Sequence, residues 1–366
     1  MAGVVLCFAI MGARAARRSW LAVGLVLSIV AGACSSPQPS GGSAAIKAAG
    51  VAASTGAAVA SKGCSASSPG PAPAPVTEVR QDITVDRVAR WYLLTTPPAH
   101  AGARPLPVVM DLHGLSEGAT LHARTTQFSA EAQAKDFVVV FPNGTGSPVG
   151  WDIAPGTAAH PNHDIDFLNA MLDTLERSLC VDTSRIYATG LSDGALMTSL
   201  LACTMAARVA AFAPVAGIDM PMPCHPGRRV PILAFHGTAD PILYFNGGIG
   251  TAVLNHVLGK GPTPTTTTQP PVDLHGKGYP ASVAAWAAKD GCSRRSTDTN
   301  LSAHVIARTY PCPPGVSVEF YIIRGGGHAW PGSKISAALA SITGYSTFEV
   351  NATDVIWQFF RRYRHT

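Results

Sequence analysis

The chain has 366 residues, 47% of them hydrophobic and 13% charged, with a formal net charge of +5. That is enough apolar material for one large core or two small ones, and no repeat at a fixed period is visible, which sets aside solenoids and propellers. Three arginines (Arg14, Arg17 and Arg18) carry most of the positive excess within one N-terminal stretch, so the charge gives no argument for nucleic-acid binding.

Those arginines precede the apolar run 21–30, which is too short to span a bilayer but suits a secretory signal. Ala31-Gly-Ala33 then leads into Cys34, as in a bacterial lipobox, where cleavage makes the cysteine the lipid-modified first residue. Residues 1–33 are therefore read as a signal peptide, with Met11 as an alternative start, and the mature protein as a lipid-anchored or secreted extracytoplasmic one. Its expected membrane contact is through the anchor only. An ordinary cleaved signal with an incidental Cys34 is the alternative. Residues 34–78 hold almost only Ala, Ser, Gly, Pro, Thr and Val, a composition that reads as a flexible linker.

From residue 79 the texture is that of a single folded domain, 79–366. Two short strands are expected around a turn between Ile83 and Thr96, then buried strands at 105–112 and 137–141. Ile165, Leu168, Leu172, Leu175 and Leu179 share one face of a helix over 164–180. A strand (185–189), a helix (192–206) and two strands (210–215 and 230–235) follow. The last elements are a helix (281–290), two strands (302–310 and 316–323) and a closing helix (352–363). Strands alternating with helices predict an α/β fold with a mostly parallel central sheet and helices on both faces. Residues 244–280, with the run Thr263-Pro-Thr-Thr-Thr-Thr268, break the alternation and read as a long loop.

Apart from Cys7 and Cys34, six cysteines remain, an even number that suits disulfides in an exported chain. Sequence proximity favours Cys292–Cys312 and Cys203–Cys224, which leaves Cys64–Cys180. None forms a C-x-x-C pair. His160-Pro-Asn-His163-Asp164 reads as a capped loop before a helix, so no metal and no cofactor is expected.

Two pentapeptides fit G-x-S-x-G, the mark of a serine nucleophile: GLSEG at 114–118 and GLSDG at 190–194. Ser192 lies between a strand and the helix-forming run Ala195–Ala202, as a nucleophile elbow requires. Ser116 follows the strand through His113-Gly114, and no helix is expected directly after it. A strand ending in His-Gly suits the loop whose main-chain N–H polarises the substrate carbonyl, which nominates Leu115 beside Asp193 for an oxyanion hole. His328, in a glycine-rich loop after the strand ending at Ile323, is the candidate base. Asp240, after the strand over 230–235, is its candidate orienting carboxylate. The order Ser192, Asp240, His328 is that of α/β-hydrolases. Asp193, Asp166 and Asp354 suit helix starts better, and His236 is read as structural.

These stretches resemble the secreted polyhydroxybutyrate depolymerase and feruloyl esterase family of α/β-hydrolases, which includes actinobacterial lipoprotein esterases. The similar pieces are DLHG (111–114), FPNGTG (141–146) with GWD (150–152), DIDFL (164–168), VDTSRIYATGLSDGALM (181–197), APVAG (213–217), FHGTADPILYFNGG (235–248), GGGHAWPG (325–332) and NATDVIWQFF (351–360). The resemblance implies a serine carboxylesterase that cleaves feruloyl, acetyl or hydroxyalkanoate esters through Ser192, Asp240 and His328. It departs from the family at Asp193, where Asn or Ala is usual, and in the long insertion after Gly248. Trp151 and Trp330 are candidates for an aromatic wall of the substrate site, with core packing the alternative. A monomer is expected. The other readings of function are a serine peptidase on the same fold and a catalytically silent binding lipoprotein.

Overall fold

The computed structural model describes residues 56–64, 74–101, 104–157, 159–250 and 269–365. The signal peptide, Cys34 and the threonine run of the insertion lie outside them. Among the described residues no helix is long and apolar enough to cross a membrane.

Ten strands form one sheet. They are β1 (Val79–Val85), β2 (Val88–Thr95), β3 (Leu106–Leu112), β4 (Val138–Pro142), β5 (Val181–Leu191), β6 (Ala211–Val215), β7 (Ile232–Gly237), β8 (Thr297–Asn300), β9 (Val305–Thr309) and β10 (Val318–Ile323). Their order across the sheet is β1-β2-β4-β3-β5-β6-β7-β10-β9-β8. From β4 to β10 every neighbour is parallel, and antiparallel pairs close both edges. The parallel strands are almost wholly buried because both their faces are covered.

The helices are α1 (Gly118–Thr126), α2 (Phe128–Lys135), α3 (His163–Ser178), α4 (Asp193–Thr204), α5 (Tyr279–Lys289), α6 (Lys334–Ala338), α7 (Ala340–Thr343) and α8 (Ala352–Phe360). Alternation along each strand splits the core in two. Val108, Met110 and Val140 pack with Phe167, Leu172, Met197, Leu200 and Trp286 of α3, α4 and α5. Val109, Val139 and Phe141 pack with Ala123, Phe128, Ile356 and Trp357 of α1, α2 and α8. The expected doubly covered α/β sheet is the one observed.

The parallel strands end nearly level. Leu112 pairs with Gly190 and Gly190 with Pro214, while Val215 pairs with Phe235 and Phe235 with Tyr321. One edge of the sheet therefore carries the loops that follow β3, β5, β7 and β10, the crevice where open α/β sheets place their ligands.

Two expectations change at the periphery. Residues 59–64, within the stretch read as linker, are docked on the domain. Ser61 N–H donates to the Val181 carbonyl at 2.9 Å, Val59 N–H donates to Asp182 Oδ1 at 3.0 Å, and Cys64 is bonded to Cys180. Strand β8 (Thr-Asp-Thr-Asn) was not expected, since all four residues are exposed and carry no apolar alternation. The other two disulfides, Cys203–Cys224 and Cys292–Cys312, pair as sequence proximity suggested.

Candidate active site

Ser192 stands at the turn between β5 and α4 with φ 59° and ψ −118°, a strained conformation for a residue with a side chain. Its flanking glycines make the turn possible. A β-carbon at Gly194 would fall 2.1 Å from the Leu112 carbonyl oxygen, and one at Gly190 would fall 2.6 Å from the same atom. Strand β3 thus crosses so close beneath the elbow that only hydrogen fits at both positions.

Asp240, in the loop after β7, is fully buried and has all its lone pairs in use. Its Oδ1 accepts the N–H groups of Ile242 (2.8 Å) and Leu243 (2.9 Å). Its Oδ2 lies 2.8 Å from His328 Nδ1 and 3.2 Å from His236 Nε2. Burial disfavours its charge, yet His328 and His236 outweigh that and hold the carboxyl well below the usual carboxylate range. An ionised Asp240 can only accept, so His328 carries its proton on Nδ1 and keeps Nε2 as the basic nitrogen.

The loop after β3 runs beside the elbow: a β-carbon at Gly114 would stand 3.4 Å from Ser192 Cβ. Gly114, Ser116 and Glu117 each spend their main-chain N–H on an acceptor, whereas those of Leu115 and Asp193 have none among the described residues. Trp151 ties the two loops together. Its Nε1–H donates to the His113 carbonyl (2.9 Å) and its main-chain N–H to Asp193 Oδ2 (2.8 Å). A β-carbon at the preceding Gly150 would come within 3.0 Å of both Leu115 Cδ1 and Asp193 Oδ2, so the side chains of both residues border one spot. His113 is fixed by Gly144 N–H, which donates to its Nε2 at 2.9 Å; burial pushes its pKa down to about 4 and leaves it neutral.

No family model matches the chain. Among curated proteins it is 28% identical over 295 residues to "Putative esterase NocK" of Nocardia uniformis subsp. tsuyamanensis, covering 77% of this chain and 82% of that one. It is also 28% identical over 248 residues to Feruloyl esterase B of Piromyces equi, covering 66% of this chain but only 42% of that longer protein. Among solved structures, acetyl xylan esterase from Aspergillus awamori superposes with a TM-score of 0.50 over 78% of this chain and 99% of its own, at 15% identity. The chain has the α/β-hydrolase fold and is similar in sequence to esterases.

Within this fold the structure redraws three expectations. GLSEG is not set apart by lacking a helix: α1 begins at Gly118, and Ser116 also has a positive φ, 66°. Its run of β-branched threonines concealed the helix, which packs on the sheet through Ala119 and Ala123. What separates the two serines is position, since Ser116 follows β3 and turns outward, exposed. Trp330 is no aromatic wall. It is buried among Phe128 and His122, with its Nε1–H donated to Thr353 Oγ1 at 3.0 Å. Trp151 is also mostly buried and acts as the strap between the loops.

Asn162 caps α3, its side chain accepting the N–H groups of Asp164 and Ile165, as the capped-loop reading of this stretch expects. His163 instead stands with Asp86 and Asp166 in an exposed trio, a kind of grouping that surfaces carry without an ion. One buried cluster was not seen in the sequence at all. His122 lies between Asp111 of DLHG (Nε2 to Oδ1, 2.8 Å) and Glu117 of GLSEG (Nδ1 to Oε2, 2.9 Å), motifs whose acidic residues carried no expectation.

Proposed function

We propose that the chain is an extracytoplasmic serine carboxylesterase in which Ser192, His328 and Asp240 act as nucleophile, base and orienting acid. The observation that carries this reading is the 2.8 Å bond from His328 Nδ1 to a buried, ionised Asp240, on the same sheet edge that presents Ser192 from a positive-φ elbow.

In this mechanism Ser192 Oγ attacks the ester carbonyl carbon as its proton passes to His328 Nε2. Asp240 keeps the imidazole in the right tautomer and stabilises its charged form. The unpartnered N–H groups of Leu115 and Asp193 receive the oxyanion, each supplying about 3 kcal/mol of transition-state stabilisation. Collapse expels the alcohol, which takes the proton from His328. A water, deprotonated by the same nitrogen, then attacks the acyl-enzyme, and collapse releases the acid as the proton returns from His328 Nε2 to Ser192 Oγ.

Feruloyl and acetyl esters are the favoured substrates, because the named relatives include a feruloyl esterase and the fold match is to an acetyl xylan esterase. Three disulfides support a location outside the reducing cytoplasm, and the lipobox-like Ala31-Gly-Ala-Cys34 supports an anchor there.

A fluorophosphonate probe tests the site. Ser192→Ala is expected to abolish labelling and Ser116→Ala to leave it unchanged; labelling that survives Ser192→Ala refutes the assignment. A hydrolysis screen over 4-nitrophenyl acetate, methyl ferulate, hydroxybutyrate oligomers and peptide amides then ranks the substrate classes. Turnover of amides alone would favour the peptidase reading.

A further inference from the structure

The buried charges behind GLSEG form a single chain of contacts. Asp111, the penultimate residue of β3, accepts the Thr126 hydroxyl on Oδ2 (2.6 Å) and faces His122 Nε2 with Oδ1. His122 gives its other N–H to Glu117 Oε2, and the same oxygen accepts the main-chain N–H of Gly114 at 2.8 Å. Asp111 and His122 are fully buried and Glu117 nearly so. Burial disfavours charge on His122, but the two carboxylates prevail and raise its pKa to about 10. Glu117, which burial alone would neutralise, is held ionised at about 2 by that imidazolium.

A buried ion group of this kind is weak evidence for stability, because desolvation cancels most of the attraction. Its geometry points to another use. Glu117 ends on Gly114, the residue immediately before the N–H assigned above to the oxyanion. Gly114 also faces the Ser192 β-carbon. On the far side, the His122 ring meets Trp330 edge-on at 6.0 Å, and Trp330 lies two residues beyond His328.

We propose that the Asp111–His122–Glu117 cluster holds the Gly114–Leu115 peptide in register with Ser192, with Glu117 and His122 as positioning residues for the oxyanion hole. The carboxylate reaches the loop; the imidazolium fixes the carboxylate; Asp111 and Thr126 fix the imidazolium to β3 and α1. The glutamate of GLSEG, not its serine, is then the functional member of that pentapeptide. This inference rests on the serine-esterase reading above.

The test uses the full folded domain with 4-nitrophenyl acetate as substrate and benzeneboronic acid as a tetrahedral mimic. Glu117→Ala is expected to lower kcat about 10- to 100-fold with KM within about twofold, short of or equal to the loss of a whole oxyanion donor. Boronate affinity should fall by a similar factor, while fluorophosphonate still titrates Ser192 in full on long incubation. Glu117→Gln, which keeps an acceptor for Gly114, is expected to restore kcat to within about threefold of the parent.

If Glu117→Ala does not fold, Glu117→Asp carries the test. It keeps the charge beside His122 but stops one methylene short of Gly114, and kcat is expected to fall at least about fivefold at unchanged KM. Parental kcat in Glu117→Ala or Glu117→Asp, a loss that falls on KM, or a Glu117→Gln enzyme as slow as Glu117→Ala each overturns the proposal. Failure of the underlying esterase reading shows separately, as labelling or turnover that survives Ser192→Ala.

Discussion

His236 sets its Nε2 3.2 Å from Asp240 Oδ2, the oxygen that also receives His328. The same Nε2 lies 2.9 Å from the Leu243 carbonyl, so it is the protonated nitrogen and donates to both oxygens. Nδ1 is buried without a partner, and the ring stacks on Tyr279 at 3.7 Å. His236 is therefore a fixed donor to the carboxylate oxygen that also receives His328.

Replacing it by phenylalanine keeps the stacking and removes the donor. His236→Phe is expected to lower kcat about 3- to 10-fold through a looser Asp240, with KM nearly unchanged. Stability should fall by about 1 kcal/mol, the worth of one hydrogen bond. Steady-state kinetics with an acetyl ester and a urea melt check both; a kcat equal to the parent's would show that His328 needs no such support.

Asp193 gives a stability change with a defined pH sign. Burial raises its carboxyl from 3.8 to about 6, against the opposing pull of the Trp151 N–H, and Asp164 adds to the rise. A raised acid pKa means that the folded state prefers the neutral form. The penalty is absent below the unfolded value, grows between 3.8 and about 6, and is complete above that. Asn can still accept from Trp151 N–H and carries no charge. Asp193→Asn is expected to stabilise the protein at pH 8 by about 1–3 kcal/mol, after allowing for partial exposure, and to change nothing at pH 3.5. Chemical denaturation at the two pH values measures the difference. Equal effects at both would mean that ionisation of Asp193 carries no cost.

Much of this was legible in the sequence because it is written in local patterns. Short apolar runs marked β3, β4 and β7, and Ile165, Leu168, Leu172 and Leu175 marked α3. The order Ser192, Asp240, His328 marked the strand ends that carry them. What escaped has no local signature. Helix α1 is rich in threonine and stands only because the sheet buries Ala119 and Ala123. Strand β8 is wholly exposed and exists by pairing with β9. The His122 cluster joins residues of β3, the following turn and α1, each ordinary alone, and only the fold makes them one charged unit.

Trp330 illustrates how an aromatic residue beside a catalytic motif can mislead. It lies two positions from His328, yet its ring is enclosed by Phe128 (6.1 Å, edge-on) and His122, and its main-chain N–H takes the Ser336 hydroxyl as acceptor at 3.0 Å. A residue packed this way works through the shape of the His328 loop rather than through contact with an acyl group. Trp330→Phe keeps most of the volume but abandons the bond to Thr353. It is expected to cost about 1–3 kcal/mol of stability, while Trp330→Ala costs about 3–5 kcal/mol by opening a cavity. Trp330→Phe should leave KM for acetyl and feruloyl esters unchanged, because no substrate reaches the ring. A selective rise in the feruloyl KM, with thermal stability intact, would place the ring in the substrate site after all.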